Sequence, residues 1–181
     1  MGSVLSAQRI SELQKNDPPL VEGLLDGDQQ IQPNGVDLSL YSVQAFQSGG
    51  QVGFDSSERI LPQLTNLDFT DGWIDLPQGQ YLVTFNEIVH LPVNVMALGR
   101  PRSSLLRMAV SVGTAVWDAG YNGRSQSLLI VYNPGGVRLK QNARLLQLVF
   151  FEIDGGTHAY NGFFQNENIH LPIHLDKKDQ A

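Results

Sequence analysis

The sequence predicts an all-β domain, a barrel or sandwich with a few short helices. Three observations carry that expectation. Many short segments alternate apolar and polar residues with the period of a strand, turns rich in Gly and Pro separate them at close spacing, and little of the chain repeats with the period of a helix. Among such folds a jelly-roll-like barrel is preferred, and periodicity alone does not fix the topology. With 181 residues, 41% of them hydrophobic, the chain is expected to form one domain over residues 1–181 with a core of ordinary size.

The elements follow in order. Residues 4–15 form a short amphipathic helix, with Ser6 as N-cap and Leu5, Arg9, Ile10 and Leu13 near helical spacing. Asp17-Pro18-Pro19 ends it, because the residue before a proline is pushed out of the helical region. Residues 21–28 are a second short apolar piece closed by the turn Asp26-Gly27-Asp28. From Gln30 the period becomes that of a strand: Ile31, Val36, Leu38 and Leu40 alternate around the turn Pro33-Asn34-Gly35. Asp37 lies inside that run, so its carboxylate either faces solvent or has a partner, since burying it unpaired is costly. Residues 43–70, rich in Gly, Ser, Gln and Asp, read as short strands and loops. Trp73-Ile74-Asp75-Leu76-Pro77 starts a firmer pattern, and residues 80–90 are expected to be one long strand or a strand pair, ended by Leu91-Pro92. Residues 94–99 read as a turn of helix or a bend, and residues 103–108 as a short helix. Strands at 110–116 and 125–132 flank a turn at Asp118. The strong turn Asn133-Pro134-Gly135-Gly136 precedes strands at 137–139 and 145–153. The tail, about 157–181, carries Tyr160, Phe163 and Phe164 without periodicity, the pattern of a segment ordered by a partner or ligand.

Composition excludes several functions. The net charge of -6 argues against non-specific binding to nucleic acid, so any anionic ligand needs a local basic site. There are no cysteines, hence no disulfide framework or thiolate metal site, which fits a reducing cytoplasm. Residues 1–15 lack the continuous apolar core of a signal peptide. No apolar run approaches the ~20 residues that span a bilayer, so no membrane partner is expected. Of the histidines His90, His158, His170 and His174, none lies in an HExxH pattern, and Pro172 separates the last two, so no zinc site is expected. The chain has no Walker loop, dinucleotide fingerprint or nucleophile elbow.

Two neighbouring segments suggest chemistry. Arg100-Pro101-Arg102-Ser103-Ser104-Leu105-Leu106-Arg107 offers three guanidinium groups and two adjacent hydroxyls, good donors for phosphate oxygens. A helical turn starting at Ser103 or Ser104 would add backbone N–H groups. Just after it, Val116-Trp117-Asp118-Ala119-Gly120-Tyr121-Asn122-Gly123 places one carboxylate in a Gly-bounded turn with an aromatic ring three residues on. An anion-binding set beside a lone candidate base suggests reaction at a phosphate ester or anhydride. Surface arginines and turn aspartates are common, so a purely structural reading stays open on these residues alone.

Four motifs in order carry a resemblance: Gln32-Pro33-Asn34-Gly35-Val36-Asp37-Leu38, Arg102-Ser103-Ser104-Leu105-Leu106-Arg107, Asp118-Ala119-Gly120-Tyr121-Asn122-Gly123, and Ala143-Arg144-Leu145-Leu146-Gln147-Leu148-Val149-Phe150. Each is weak alone. Together, over residues 5–165, they resemble the dUTPase and dCTP deaminase superfamily of homotrimeric enzymes acting on pyrimidine deoxynucleoside triphosphates. The resemblance implies a distorted, jelly-roll-like β-barrel in a homotrimer. The QPxxVDL and RSSLxR spellings are similar to the deaminase-type branch, which also holds archaeal-type dUTPases and bifunctional enzymes. Its deaminating members carry a glutamate about ten residues after the turn aspartate. Here that place is Leu128, followed by Leu129, and no carboxylate lies between Asp118 and Glu152. A leucine cannot shuttle a proton, so the resemblance implies dUTP hydrolysis to dUMP and pyrophosphate.

The same resemblance implies the roles. Asp118 activates a water for attack on the α-phosphorus, and Gln147 positions that water or an α-phosphate oxygen. Ser103, Ser104 and Arg107 bind phosphate oxygens; Arg102 does so or braces the subunit interface. The strand 113–119, including Thr114, offers backbone groups to the uracil edge. Tyr121, in the turn closed by Gly123, lies beneath the deoxyribose and leaves no room for a 2'-hydroxyl. Asp37 is mainly structural, pairing with Arg144. The tail at Tyr160 to Gln165 closes over the nucleotide. Mg²⁺ is expected as cofactor, held mainly by the triphosphate. Asp118 and the Ser103-Ser104 pair are expected from different subunits. Two residues depart from the family: Arg124, where dUTPases often have glutamate, and Ala159, where the deaminase-type tail has lysine. The alternatives are a dCTP deaminase, alone or bifunctional, with its carboxylate placed differently, and a nucleotide-binding trimer without catalysis.

Overall fold

The computed structural model describes residues 2–172. In order they form α1 (Ala7–Leu13), β1 (Val21–Glu22), α2 (Gly27–Gln30), β2 (Ile31–Gln32), β3 (Gly35–Phe46), β4 (Leu64–Leu67), β5 (Trp73–Leu76), β6 (Gly79–Phe85) and β7 (Ile88–His90). There follow β8 (Val95–Pro101), α3 (Ser103–Arg107), β9 (Val110–Gly113), β10 (Val116–Trp117), β11 (Asn122–Gly123), β12 (Gln126–Val131), β13 (Val137–Lys140) and β14 (Arg144–Glu152). The end of the expected tail, 173–181 with His174, lies outside the described residues.

One large antiparallel sheet runs in the order β10-β8-β14-β3-β6-β12-β9, with β2 and β4 also on β3. Its centre is β3, whose first half pairs with β14 (Val36 opposite Leu148, Leu38 opposite Leu146). Its second half pairs with β6 (Val43 opposite Val83, Ala45 opposite Tyr81). The register slips between Leu40 and Ser42 on β3 and between Arg144 and Leu146 on β14. Such bulges bend and twist a strand, which curls the sheet into a half-barrel. Val36, Leu38, Leu40, Val83, Leu129 and Phe150 fill the inside and are fully buried. A three-stranded sheet, β1-β7-β11, and the pair β5-β13 complete the shell. The fold is thus mostly β, of the expected barrel-like type. Among the described residues no helix is long and apolar enough to cross a membrane.

The helices are short; α1 and α2 are capped by side chains, whereas α3 follows Arg102 with no side-chain cap bond. Ser6 caps α1 by accepting from the Arg9 N–H, and Ile10 and Leu13 bury its apolar side. Asp26 caps α2, accepting from the Gln29 N–H, where the sequence suggested only a turn.

Two expectations about strands are corrected. Residues 80–90 hold two strands rather than one, but β6 and β7 do not pair with each other and belong to different sheets. The break is at Asn86 and Glu87, both fully buried. Asn86 gives its backbone N–H and its amide to Ser39, while the Glu87 carboxylate takes the Ser39 N–H and hydroxyl. That polar exchange pulls the chain out of the ladder. Residues 94–99 are strand rather than helix or bend. In β8, Val95, Ala97 and Gly99 alternate inward between β10 and β14, and this pairing overrides a turn-rich composition. Gly99 is required there: an added Cβ would lie 2.9 Å from side-chain atoms of both Leu146 and Thr114.

Candidate active site

The turn after β10 is built to show one side chain and bury another. The Tyr121 N–H closes it by bonding to the Asp118 carbonyl at 3.0 Å, and the Leu91 N–H bonds to the Tyr121 carbonyl at 2.8 Å. Gly120 adopts φ +79°, a left-handed conformation costly for residues with a Cβ. As a result Asp118 is exposed, whereas Ala119 and Tyr121 are buried. Asp118 and Tyr121 share a cavity of about 520 Å³, lined also by Leu64, Leu82, Gln126 and, from the tail, Phe164. That size suits a small organic ligand.

The tail is zipped onto this turn. The Tyr160 N–H bonds to the Ala119 carbonyl at 2.7 Å. The Gln165 amide accepts from the Asn122 N–H at 2.9 Å and donates to the Gly120 carbonyl at 3.0 Å. The Tyr160 ring meets Tyr121 edge-on, with centroids 5.9 Å apart. Ala159 lies on Gly120, where an added Cβ would come within 2.7 Å of the Ala159 Cβ. Gly123 is equally confined, facing the Tyr121 ring and the Glu167 side chain. Two aromatic residues of the tail, Phe163 and Phe164, pack under the Arg59 guanidinium, 5.1 and 5.8 Å from their centroids.

Glu167 was not singled out from the sequence. It lines the cavity and accepts a 2.8 Å hydrogen bond from the Tyr121 hydroxyl. Burial raises the Glu167 carboxyl above its usual range; burial, then the Glu167 charge, raises the Tyr121 phenol. Arg124 points inward and is fully buried, with its guanidinium 5.0 Å from the Tyr41 ring and Nη1 bonded to the Pro172 carbonyl. It therefore lies beneath the turn rather than at the cavity mouth.

The other expected residues form a second group. Ser103 and Ser104 open α3 and are exposed, and Arg107 folds back to bond the Ser103 carbonyl at 3.0 Å. Arg102 is anchored: its Nε lies 3.0 Å from Asp37 Oδ2, which also holds Arg144 Nη1 at 3.4 Å. Asp37 is 2% exposed, so it is partnered and not solvent-facing. Burial pushes its carboxyl up against the pull of the two arginines. Gln147, half-buried on β14, sits opposite Asp37 and Arg100. Thr114, between β9 and β10, packs against Gly99. Ser103, Ser104, Arg107 and Gln147 do not line the cavity of Asp118. One chain thus displays two half-sites: a base, ring and tail in one place, hydroxyls and arginines in another.

Among the described residues no group of three or more His, Cys, Asp or Glu could hold a metal ion. His90 pairs with Glu22 at 2.9 Å. The carboxylates at the cavity are Asp118 and Glu167. Such a donor set fits Mg²⁺, which keeps several waters and takes phosphate oxygens with one or two carboxylates.

The sequence model of the dCTP deaminase-like family matches residues 4–153. A probable deoxyuridine 5'-triphosphate nucleotidohydrolase of Methanosarcina mazei is 49% identical over 168 residues, covering 92% of this chain and 98% of that one. The deoxyuridine 5'-triphosphate nucleotidohydrolase of Methanocaldococcus jannaschii is 34% identical over 140 residues, 76% of this chain and 88% of its own. Among solved structures, a 2'-deoxycytidine 5'-triphosphate deaminase from Agrobacterium tumefaciens aligns with a TM-score of 0.63 at 25% identity, over 83% of this chain and 49% of that one. This chain therefore spans about half the length of that deaminase.

Proposed function

The chain belongs to the dCTP deaminase-like family, and from that membership we propose that it is a dUTPase, hydrolysing dUTP to dUMP and pyrophosphate. The observation that carries this reading is Leu128. Counted from Asp118, it falls where the resemblance puts the glutamate of deaminating members, and it lies on the same face of β12 as Gln126, which borders the cavity; Leu129 points into the core. An aliphatic side chain there supplies no proton to a pyrimidine ring. The exposed Asp118 is left to act on phosphorus.

Asp118 orients a water and takes its proton as the oxygen attacks the α-phosphorus in line. The bond from that phosphorus to the bridging oxygen breaks, and pyrophosphate leaves. Ser103, Ser104 and Arg107 of a neighbouring subunit hold phosphate oxygens. Arg102 reaches them only with the guanidinium atoms that Asp37 does not engage, and Gln147 orients the water or an α-phosphate oxygen. Backbone groups of the strand through Thr114 face the base. Tyr121, held by Glu167 and seated on Gly123, lies under the deoxyribose. Tyr160 and Gln165 close the tail over the nucleotide and exclude water. Mg²⁺ would be held mainly by the triphosphate, with Asp118 the exposed protein carboxylate near it, and would supply charge neutralisation there. The exposed apolar residues Leu106 and Met108, next to the hydroxyl pair in the chain, support a subunit contact there, and the homotrimer follows from the family resemblance.

One observation favours a second reading. Glu167 borders the cavity with its carboxyl raised by burial, as a proton shuttle for deamination would be. Products separate the two. Incubated singly with dUTP, dCTP and dTTP and Mg²⁺, the protein is expected to yield dUMP and pyrophosphate from dUTP and no ammonia from dCTP. Asp118→Asn is expected to lose about 10²-fold or more in kcat while retaining dUTP binding. Ammonia from dCTP would establish the second reading, and tight dUTP binding without turnover by the native chain would indicate a non-catalytic trimer.

A further inference from the structure

We propose that Gln126 selects the base, by presenting a fixed amide carbonyl to the pyrimidine N3 position. The inference rests on the reading of dUTP as substrate. Gln126 begins β12 and borders the same cavity as Asp118 and Tyr121, in a wall otherwise largely apolar. Its side chain is not free to turn. Nε2 donates to Thr84 Oγ1 at 3.0 Å and to Gln44 Oε1 at 3.4 Å. Gln44 in turn donates its own amide to Asn66 Oδ1 at 2.8 Å.

These residues form a cross-strand row. Gln126 is opposite Thr84 in the register of β12 and β6, and Gln44 is opposite Asn66 in that of β3 and β4. A primary amide has two N–H donors and one carbonyl acceptor. Both donors of Gln126 are taken, so Oε1 is the group left to offer; it has no donor among the described residues. Flipping the amide would set Gln126 Oε1 against Gln44 Oε1. Relief would then require Gln44 and Asn66 to turn as well, so the row resists the flip.

The consequence for bases follows from their edges. Uracil carries a hydrogen on N3 and cytosine does not. A fixed carbonyl accepts a hydrogen bond from uracil N3–H, whereas it faces the N3 lone pair of cytosine. Polar groups left unmatched in a closed site discriminate more strongly than a difference in size. Gln126 would thereby favour dUTP over dCTP by a route separate from Leu128, which concerns chemistry and not recognition.

The test measures binding, so it does not depend on turnover. In an Asp118→Asn background, calorimetry with Mg²⁺ gives the dissociation constants of dUTP and dCTP. Gln126→Met, close in shape but without a carbonyl, is expected to narrow the dUTP-to-dCTP preference about tenfold. Gln44→Met leaves Gln126 in place but frees its amide to turn, and is expected to narrow the preference in the same direction, with dCTP binding tightened. A purely structural role for the row would weaken both nucleotides alike. A preference unchanged in both variants, or lost only through equal weakening, overturns the proposal. Failure of the native protein to hydrolyse dUTP would instead count against the catalytic reading, and the binding ratio would still report on Gln126.

Discussion

At the scale of single residues, Glu87 shows how far burial can outweigh hydrogen bonding. Its carboxylate receives the Gln30 amide, the Ser39 N–H and the Ser39 hydroxyl, each of which favours the charged form. Burial nonetheless raises its pKa from 4.5 to about 7. The folded chain therefore holds this proton more tightly than the unfolded chain. Stability from this group is complete below the unfolded value and is lost as pH rises through about 7. The unfolding temperature should accordingly fall between about pH 5 and about pH 8 by the equivalent of a few kcal/mol. Glu87→Gln should remove most of that fall and be the more stable form at the alkaline end. Parallel curves for the two proteins would show that Glu87 is not the titrating group. Residues of this kind were invisible in the sequence. Gln30 and Glu87 are separated by 57 positions, and a polar residue in an apolar run looks alike whether it faces solvent or a distant partner. Asp118, Tyr121 and Gly120 were legible because a tight turn with a carboxylate and a ring is spelled out locally.

At the scale of elements, the tail and turn act as one piece. Gln165 alone makes two of the bonds between them, so Gln165→Ala should loosen tail docking. The expected outcome is a KM for dUTP raised roughly tenfold with kcat less affected, because the lost contacts help hold the nucleotide. A larger loss in kcat than in KM would mean that the amide acts at the reacting phosphate. The tail aromatics read as a segment ordered by a partner or ligand, and Tyr160, Gln165 and Asn166 bond the turn directly. Strands with clean alternation, such as β12 and β14, were readable from period alone. By contrast, β8 was not: Pro92, Asn94, Gly99 and Pro101 resemble punctuation, and only its two neighbouring strands make it extended. The four residues of α2 are too few for a period to register, and Asp26 as cap was the available signal.

At the scale of the whole molecule, the candidate base and the hydroxyl pair occupy separate half-sites on one chain. If each catalytic site joins halves from two subunits, mixed oligomers should recover what pure ones lack. Asp118→Asn and Arg107→Ala proteins should each be nearly inactive alone. Unfolded together and refolded, they should regain about a quarter of native activity, the fraction of interfaces that pair two intact halves at random. No recovery would place Asp118 and Arg107 in one subunit's site. The sequence suggested both halves because each is a compact motif, but the distance between them depends on assembly.

The continuity of β3 has a mechanical consequence. Because one unbroken strand belongs to both halves of the curled sheet, neither half can fray while the other keeps its hydrogen bonds. Amide protons from Val36 to Ala45 should then exchange with solvent at one common, slow rate set by global opening. Two protection levels along that strand would instead reveal a seam at its bulge.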